Sequence, residues 1–313
     1  KILSINNLSK NYSKFNNEIL NKNKIKNKKI DLGNSNSFNK INFKADYIID
    51  CSAEPAVEIS KKKTVKVIES NFLSTVNILQ KVKKDNSKLI FISSSRVYPI
   101  TESYKKFKRY KKLGKHLPYK EESNFNDTKT IYGFTKYCSE HLIKEYNYSE
   151  NTKFIINRCG LISGPGQYGK VEQGLVALWM WRHINKMDVT YLGHGGNGNQ
   201  VRDVLFIKDL CKLILLQIKQ FKKFENEIFC IGGGTKNAVN LKNLTKLCQN
   251  ITKNKIKIMK NLNTSIYDIP YYVTSINKIN KISNWKPRIN LSQGLLEIYN
   301  WMIVNKKKIK KFF

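Results

Sequence analysis

Through the first two-thirds of the chain, short apolar runs alternate with longer stretches in which apolar residues recur every three or four positions. The longer stretches predict helices over residues 64–84 and 132–146. The short runs predict strands at residues 2–5, 47–51, 88–93, 153–157 and 227–231. Strands that alternate with helices are typical of a parallel sheet covered by helices on both faces. We therefore expect an α/β protein with a doubly wound parallel sheet.

The third predicted strand runs directly into three hydroxyl residues, Ser93, Ser94 and Ser95. In open α/β sheets, ligands bind beyond the carboxyl ends of the strands. We therefore expect the chemistry of this protein to take place at this strand end.

From about Gly160 the pattern changes to glycine-rich turns around a tryptophan-rich helix predicted over residues 171–184. Further helices are predicted over residues 208–220 and 241–250, the second with Asn240 as its N-cap. These elements suit a smaller domain that closes over the edge of the sheet. The expected division is a larger domain of residues 1–160 with about 201–235, and a smaller one of residues 161–200 and 236–313.

The composition narrows the possible classes of protein. The chain has 313 residues, is 41% apolar, and contains no apolar run long enough to span a membrane. Its formal charge of +34 suggests nucleic-acid binding, but only six of its 57 basic residues are arginine and the lysines are spread over the whole chain. We interpret the charge as surface solvation and keep nucleic-acid binding as a minor alternative.

The cysteines and histidines show no metal-ligand spacing. The six cysteines lie far apart without a Cys-x-x-Cys pair, and no histidine is placed to share a metal with them. We expect free, buried thiols in a reducing cytoplasm and no bound metal.

A tyrosine and a lysine stand four positions apart at the start of the second predicted helix, as Tyr132 and Lys136. This spacing puts both side chains on one helix face, where the ammonium would lower the pKa of the phenol and suit it to acid-base catalysis. The spacing alone is weak, because Tyr104 and Lys108 repeat it in the stretch 104–120, which we expect to be turn-like. Only Tyr132 follows the hydroxyl-ended strand by one crossover. We therefore predict Tyr132, Lys136 and Ser94 as the catalytic residues.

Four segments, in order along nearly the whole chain, resemble the extended short-chain dehydrogenases of the NAD-dependent epimerase/dehydratase family. They are residues 71–79, 93–98, 132–136 and 200–210. The resemblance implies a Rossmann-type fold, NAD as cofactor, a nucleotide-sugar substrate and a homo-oligomer. Residues 157–174, 195–203 and 284–287 most resemble the CDP-paratose 2-epimerases.

The glycine-rich turn that opens such folds is not found in this sequence. A Gly-x-x-Gly-x-x-Gly turn normally follows the first strand and holds the pyrophosphate at a helix N-terminus. Here the sequence opens at what resembles the second strand. Two expectations stay open: a preceding segment supplies the turn, or the protein lacks a phosphate cradle of its own.

The resemblance also assigns residues to the cofactor. Asn6 stands where an acidic residue normally holds the adenosine ribose, which leaves the choice between NAD and its phosphorylated form open. The residues implied to bind the cofactor are Asn6, Asp31, Leu32, Cys51, Ser52, Ala53, Asn71, Tyr132 and Lys136.

For the substrate, the resemblance implies that Arg202 binds the diphosphate and that Ser95 and Arg96 lie near the sugar. A salt bridge with a neighbour is the alternative role of Arg202, and exposure to solvent is that of Arg96. A second diphosphate-binding arginine is expected near residues 268–270, but Ser265 stands there, so a lysine such as Lys260 would have to replace it.

The expected activity is epimerisation of a sugar carbon through a transient keto intermediate, from CDP-paratose to CDP-tyvelose at C2. A 4-epimerase and a 4,6-dehydratase of the same family are alternatives. The dehydratases usually carry an Asp-Glu pair after the catalytic hydroxyl, where this chain has Ser95 and Arg96. An idle homologue that binds a nucleotide or a partner is the alternative from another class.

Overall fold

The computed structural model of the chain describes residues 1–38, 41–55, 63–170 and 173–313. The strands are β1 (Leu3–Asn6), β2 (Lys26–Lys29), β3 (Tyr47–Asp50), β4 (Lys88–Ser94), β5 (Lys153–Cys159), β6 (Leu161–Ser163), β7 (Val189–Leu192), β8 (Val201–Phe206), β9 (Glu227–Ile231), β10 (Ala238–Asn240), β11 (Ile258–Asn261) and β12 (Tyr271–Tyr272). The helices are α1 (Ser13–Lys22), α2 (Ser35–Phe38), α3 (Thr64–Ile68), α4 (Ser74–Asp85), α5 (Ile100–Leu113), α6 (Ile131–Glu150), α7 (Leu175–Ile184), α8 (Ile207–Lys219), α9 (Leu241–Thr252), α10 (Asn277–Ser283) and α11 (Leu291–Ile309).

The central sheet consists of four parallel strands in the order β3, β4, β5, β9. The residues of β4 alternate between two hydrophobic clusters: Leu89 and Phe91 pack on the side of α4, and Ile90 packs against Leu213 of α8. Both faces of the strand are therefore buried, which is why it reads as a continuous apolar run. The predicted α/β fold and all five predicted strands are confirmed.

Two pairs of strands and a second four-stranded sheet accompany this sheet in the described residues. Strands β1 and β2 form a parallel pair, and β7 pairs with β11. Strand β8 lies between β10 and β12 and also pairs with β6. The carboxyl end of the central sheet thus faces loops that lead into a second group of elements.

Helices α3 and α4 are joined by a π-helical turn, Glu69–Leu73, and together match the predicted helix 64–84. Such turns are frequent at functional sites. Here the turn carries Asn71, which is completely buried.

A third hydrophobic cluster lies among α7, α9 and α11. Gly294 of α11 packs against the Phe206 ring so closely that any side chain on it would overlap the ring. Asn240 caps α9 by accepting a hydrogen bond from the Asn243 amide at 2.8 Å, as predicted. The predicted helix 171–184 begins at Leu175, and its first two residues, 171 and 172, lie outside the described residues. The division into two domains stays a prediction.

Two expectations are wrong. The stretch 104–120 is helical as far as Leu113, because α5 buries Ser103 and Phe107 while its many basic residues hide the apolar pattern. The six cysteines are free, but Cys51 and Cys211 are exposed, since one follows the last residue of an edge strand and the other lies on the outer face of α8.

None of the helices in the described ranges combines the length and apolarity needed to cross a membrane.

Candidate active site

The predicted catalytic hydroxyls meet at the carboxyl end of β4. Ser94 is the last residue of the strand, and the buried Tyr132 lies in the first turn of α6. Thr130 caps this helix by accepting a hydrogen bond from the Gly133 amide at 2.9 Å. The Ser94 side chain lies next to the Tyr132 phenol and favours its ionised form. The strand end and the helix start therefore bring the two hydroxyls together, as their order along the chain predicts.

Gly133 allows this approach. A Cβ atom at this position would overlap the carbonyl oxygen of Arg96. Any larger residue would push the first turn of α6 away from the turn Ser95–Val97, which follows β4. The glycine directly after the tyrosine thus keeps the phenol within reach of Ser94.

Lys136 lies one turn further along α6, with its ammonium completely buried. Its Nζ donates to the carbonyl oxygens of Ser52 at 3.0 Å and Ile92 at 3.2 Å, and lies 4.4 Å from the centre of the Phe91 ring. Burial lowers the pKa of Lys136, and the nearby Asp50 carboxylate partly offsets the shift. The lysine therefore ties the ends of β3 and β4 to the helix that carries Tyr132.

The expectation that Lys136 lowers the pKa of the Tyr132 phenol is wrong. Burial raises the pKa of Tyr132, and the groups that pull this pKa back down are the Ser94 hydroxyl and the Arg96 charge. The sequence spacing placed the cation correctly but could not show that burial has the larger effect on the phenol. Burial therefore favours the neutral form of the Tyr132 phenol.

A buried ion pair that the sequence analysis missed lies beneath this site. Glu140, one turn beyond Lys136, binds Arg158 of β5 through Nε and Nη2 at 2.7 to 3.1 Å. The same carboxylate accepts a hydrogen bond from Ser93. Both charged side chains are at most 5% exposed. The signal in the sequence was the continuation of the spacing from Tyr132 through Lys136 to Glu140.

The residues assigned to the cofactor fall into two groups. Around Lys136, Asn71 accepts a hydrogen bond from the Glu54 amide at 2.7 Å and donates to Thr135 of α6 at 3.1 Å. The hydrogen bond between Asn71 and the Glu54 amide fixes the loop after β3, which contains Cys51, Ser52 and Ala53.

The second group lies on the β1–β2 pair. Asn6 ends β1, and its side chain accepts a hydrogen bond from the Leu8 amide at 2.7 Å. Asp31 follows β2 and accepts from the Gly33 amide at 3.0 Å. Asn77 of α4 donates to the Leu32 carbonyl at 2.8 Å and so connects this pair to the helix layer. Both groups are at the carboxyl ends of their strands.

A cavity of about 530 Å³ adjoins this edge. Arg96, next to Ser95, lines one wall, so it does not face open solvent, and Arg202 of β8 lines another. Lys260 is exposed, while Asn261 of the same strand lines the cavity, because neighbouring residues of a strand point to opposite sides. Lys260 therefore does not replace the second arginine.

Asp268 and His194 were missed by the sequence analysis. The Asp268 carboxylate lies 3.6 Å from Arg202 Nη2 and 3.0 Å from His194 Nε2. The Arg202 guanidinium also donates to the Val201 and Ile269 carbonyls. The Tyr104 ring packs 5.6 Å from that of His194.

Asp203 is a fully buried carboxylate where the central sheet meets β8 and β12. Its Oδ2 accepts hydrogen bonds from the Gly234 amide at 2.8 Å and the Thr274 amide at 3.2 Å. Burial nevertheless raises its pKa to about 6 from an ordinary value of 3.8. Because the folded protein holds this proton more tightly than the unfolded chain does, the stabilising effect of the proton is complete below about pH 4 and is lost as the pH rises through 6.

We therefore expect Asp203→Asn to abolish part of the pH dependence of stability. The amide oxygen can still accept both backbone bonds, and no charge is buried at high pH. Urea unfolding between about pH 4 and 6 should show the free energy of unfolding of the wild type falling by about 1.4 kcal/mol per pH unit relative to the variant. Parallel curves for the two proteins would mean that Asp203 is ionised throughout.

A doubly wound parallel sheet with a buried tyrosine and lysine and a partly buried serine at its carboxyl edge defines a Rossmann-type enzyme of the short-chain dehydrogenase class. The comparison with family models then gives the particular family. Residues 2–232 match the NAD dependent epimerase/dehydratase family, and the chain belongs to this family. It is an NAD-dependent enzyme.

Among its relatives, a putative UDP-glucose 4-epimerase of Methanocaldococcus jannaschii is 29% identical over 276 residues, 86% of this chain and 81% of the relative. The CDP-paratose 2-epimerase of Salmonella typhi is 28% identical over 244 residues, 74% and 70% of the two chains. The solved structure of UDP-glucose 4-epimerase from Thermotoga maritima with UDP-glucose has a TM-score of 0.79 at 19% identity and covers 98% of this chain and 100% of that one. The structural likeness confirms the fold.

Proposed function

We propose that the protein is a nucleotide-sugar epimerase that inverts one sugar carbon through a transient keto intermediate. The observation that carries this proposal is the placement of Ser94 and Tyr132 next to Arg96, which lines a cavity together with Arg182 and Arg202. An acid-base pair can exchange a proton with a sugar hydroxyl. A cavity lined by arginine can bind the oxygens of a diphosphate.

The residues present fit an NAD molecule at the carboxyl edge. The Lys136 ammonium is held by two carbonyls, and within the described ranges no carboxylate lies at ion-pair distance from it. At the same edge, one buried carboxylate oxygen of Asp50 has no hydrogen-bond partner among the described residues. Bound NAD⁺ supplies the acceptor, and later the donor, of the sugar hydride. The residues that would hold it are Asn6, Asp31, Leu32, Cys51, Ser52, Ala53, Asn71, Tyr132 and Lys136.

Side chains of the protein transfer the proton of the sugar hydroxyl. Tyr132 accepts the proton of the sugar hydroxyl as the carbon is oxidised, and Ser94 hydrogen-bonds the same oxygen. The Ser94 side chain and the Arg96 charge both favour the phenolate that this step needs. After the keto-sugar has turned in the cavity, Tyr132 returns the proton as the carbon is reduced on its opposite face. Neither the substrate nor the cofactor is changed in oxidation state overall.

For the particular reaction, we propose inversion of CDP-paratose at C2. Support comes from the resemblance of residues 157–174 and 195–203 and from the Salmonella typhi relative. The Methanocaldococcus jannaschii relative supports a UDP-sugar 4-epimerase as the second candidate. A dehydratase is less well supported, because Ser95 and Arg96 supply no carboxylate beside the catalytic serine.

The test is turnover of CDP-paratose, UDP-glucose and UDP-glucuronate by the full chain with NAD, followed by proton NMR. We expect one of them to reach an equilibrium mixture of two epimers. In D₂O the inverted carbon should stay free of deuterium, because its hydrogen leaves and returns as hydride. Absence of turnover together with absence of NAD binding would contradict the proposal, and deuterium at that carbon would contradict the keto mechanism.

We further propose a cytoplasmic homo-oligomer. The free cysteines suit a reducing compartment. Exposed apolar side chains on α3 and α6, including Val65, Ile68 and Phe134, are consistent with self-association. The measurement is the molar mass in solution by light scattering, where a monomer would contradict the proposal.

A further inference from the structure

The arginines of this chain are concentrated in one cavity. Three of the six, Arg96, Arg182 and Arg202, line the cavity next to the catalytic residues. Lysine makes up nearly all of the 57 basic residues, yet no lysine of the described ranges lines this cavity. Arginine differs from lysine in offering a planar fork that binds two oxygens of one anion. The distribution therefore indicates a site for an oxyanion.

Arg96 and Arg202 both line the cavity and lie near each other. Burial and the charge of Arg202 lower the pKa of Arg96 to about 10. The charge of Arg96 also acts on the Tyr132 phenol, so this guanidinium lies near both the phenol and Arg202. An anion bound by both arginines would thus lie near the catalytic tyrosine.

The charge balance beside these two arginines is incomplete without a ligand. Asp268 lies closer to Arg202 than to Arg96, and it is the only acidic residue in the cavity wall as far as the wall is described. Arg96 Nη1 donates to the Tyr267 carbonyl at 2.8 Å, and no carboxylate of the described ranges lies within ion-pair distance of Arg96. One positive charge therefore stays unpaired in a half-buried place, which is costly unless an anion arrives.

We propose that Arg96 is the second diphosphate-binding cation of this enzyme and contacts the phosphate next to the sugar, while Arg202 binds the same diphosphate from β8. The nucleotide diphosphate as the anion rests on the proposed function. The two-arginine site itself rests on the geometry. Sequence comparison by position alone leaves Ser265 where a second arginine was expected, and the structure supplies the charge from a different strand end.

The test is binding of CDP, UDP and their monophosphates to the full chain by isothermal titration calorimetry. Arg96→Ala should weaken diphosphate binding about 10- to 100-fold, since a charge-assisted hydrogen-bonded pair is lost. Monophosphate binding should change less than about threefold, because the lost contact is to the second phosphate. Arg96→Lys, which keeps the charge without the fork, should fall between the wild type and the alanine variant.

Arg109→Ala is the matched control, because Arg109 is an exposed arginine of α5 outside the cavity. Equal loss for mono- and diphosphates in Arg96→Ala, or no loss for either, would overturn the proposal. So would a loss confined to UDP-glucuronate relative to UDP-glucose, which would assign Arg96 to a sugar carboxylate. Diphosphate binding that depends on Arg96 in a protein without epimerase turnover would support the site and contradict the proposed function.

Discussion

Tyr132→Phe should reduce epimerase turnover about 10²- to 10⁴-fold, the range that a positioned acid-base group contributes. The substitution removes only the phenolic oxygen, so the buried ring still packs at the start of α6. Ser94 stays at the strand end but has lost the group that accepts the proton of the sugar hydroxyl. The expected signature is a large fall in kcat with NAD and substrate binding nearly unchanged.

Tyr148→Phe is the control for this experiment. Tyr148 lies on the same helix and is 90% exposed, so its hydroxyl serves no buried site. Its variant should match the wild type in turnover and in stability. Turnover of Tyr132→Phe within about tenfold of the wild type would contradict the assigned base and leave Ser94 or a bound water as the proton acceptor.

Glu140→Ala should have the largest effect on stability. The variant leaves the Arg158 guanidinium buried without its carboxylate and removes the acceptor of the Ser93 hydroxyl. Breaking a buried ion pair by removing one partner costs about 3 to 5 kcal/mol. Equilibrium unfolding in urea should show this loss as a lower midpoint with an unchanged slope.

The matched control is Glu150→Ala, since Glu150 ends the same helix and pairs with Lys83 at 2.8 Å on the surface. An exposed pair contributes at most about 1 kcal/mol. If Glu140→Ala also lost less than this, water or another group would have to reach Arg158 in the variant, and the pair would not be a fixed support of α6.

The parts of the fold that follow from local pattern were predictable. The five strands of the α/β core and the helix beginning near Tyr132 follow from runs and periods within about twenty residues, and burial on both sheet faces makes those runs apolar. Helix α5 was missed because it buries only Ser103 and Phe107, too few positions to mark a period among its basic residues.

The candidate site also has features that follow from local sequence and features that depend on the folded chain. The order of a hydroxyl-ended strand followed by a tyrosine and lysine one helical turn apart is local, and it suffices to select Tyr132 over Tyr104. The protonation of Tyr132 is not local, since it depends on how completely the folded chain excludes water from the phenol.

The same limit applies to the charged partners of the site. Arg96 comes next to Arg202, and Glu140 next to Arg158, only when β8 and β5 take their places in the folded chain. The residue types and their order along the chain thus determine the strands, the helices and the catalytic candidates. Which charges face one another, and which stay unpaired until a ligand binds, depends on distances between distant segments and on burial, and these exist only in the folded molecule.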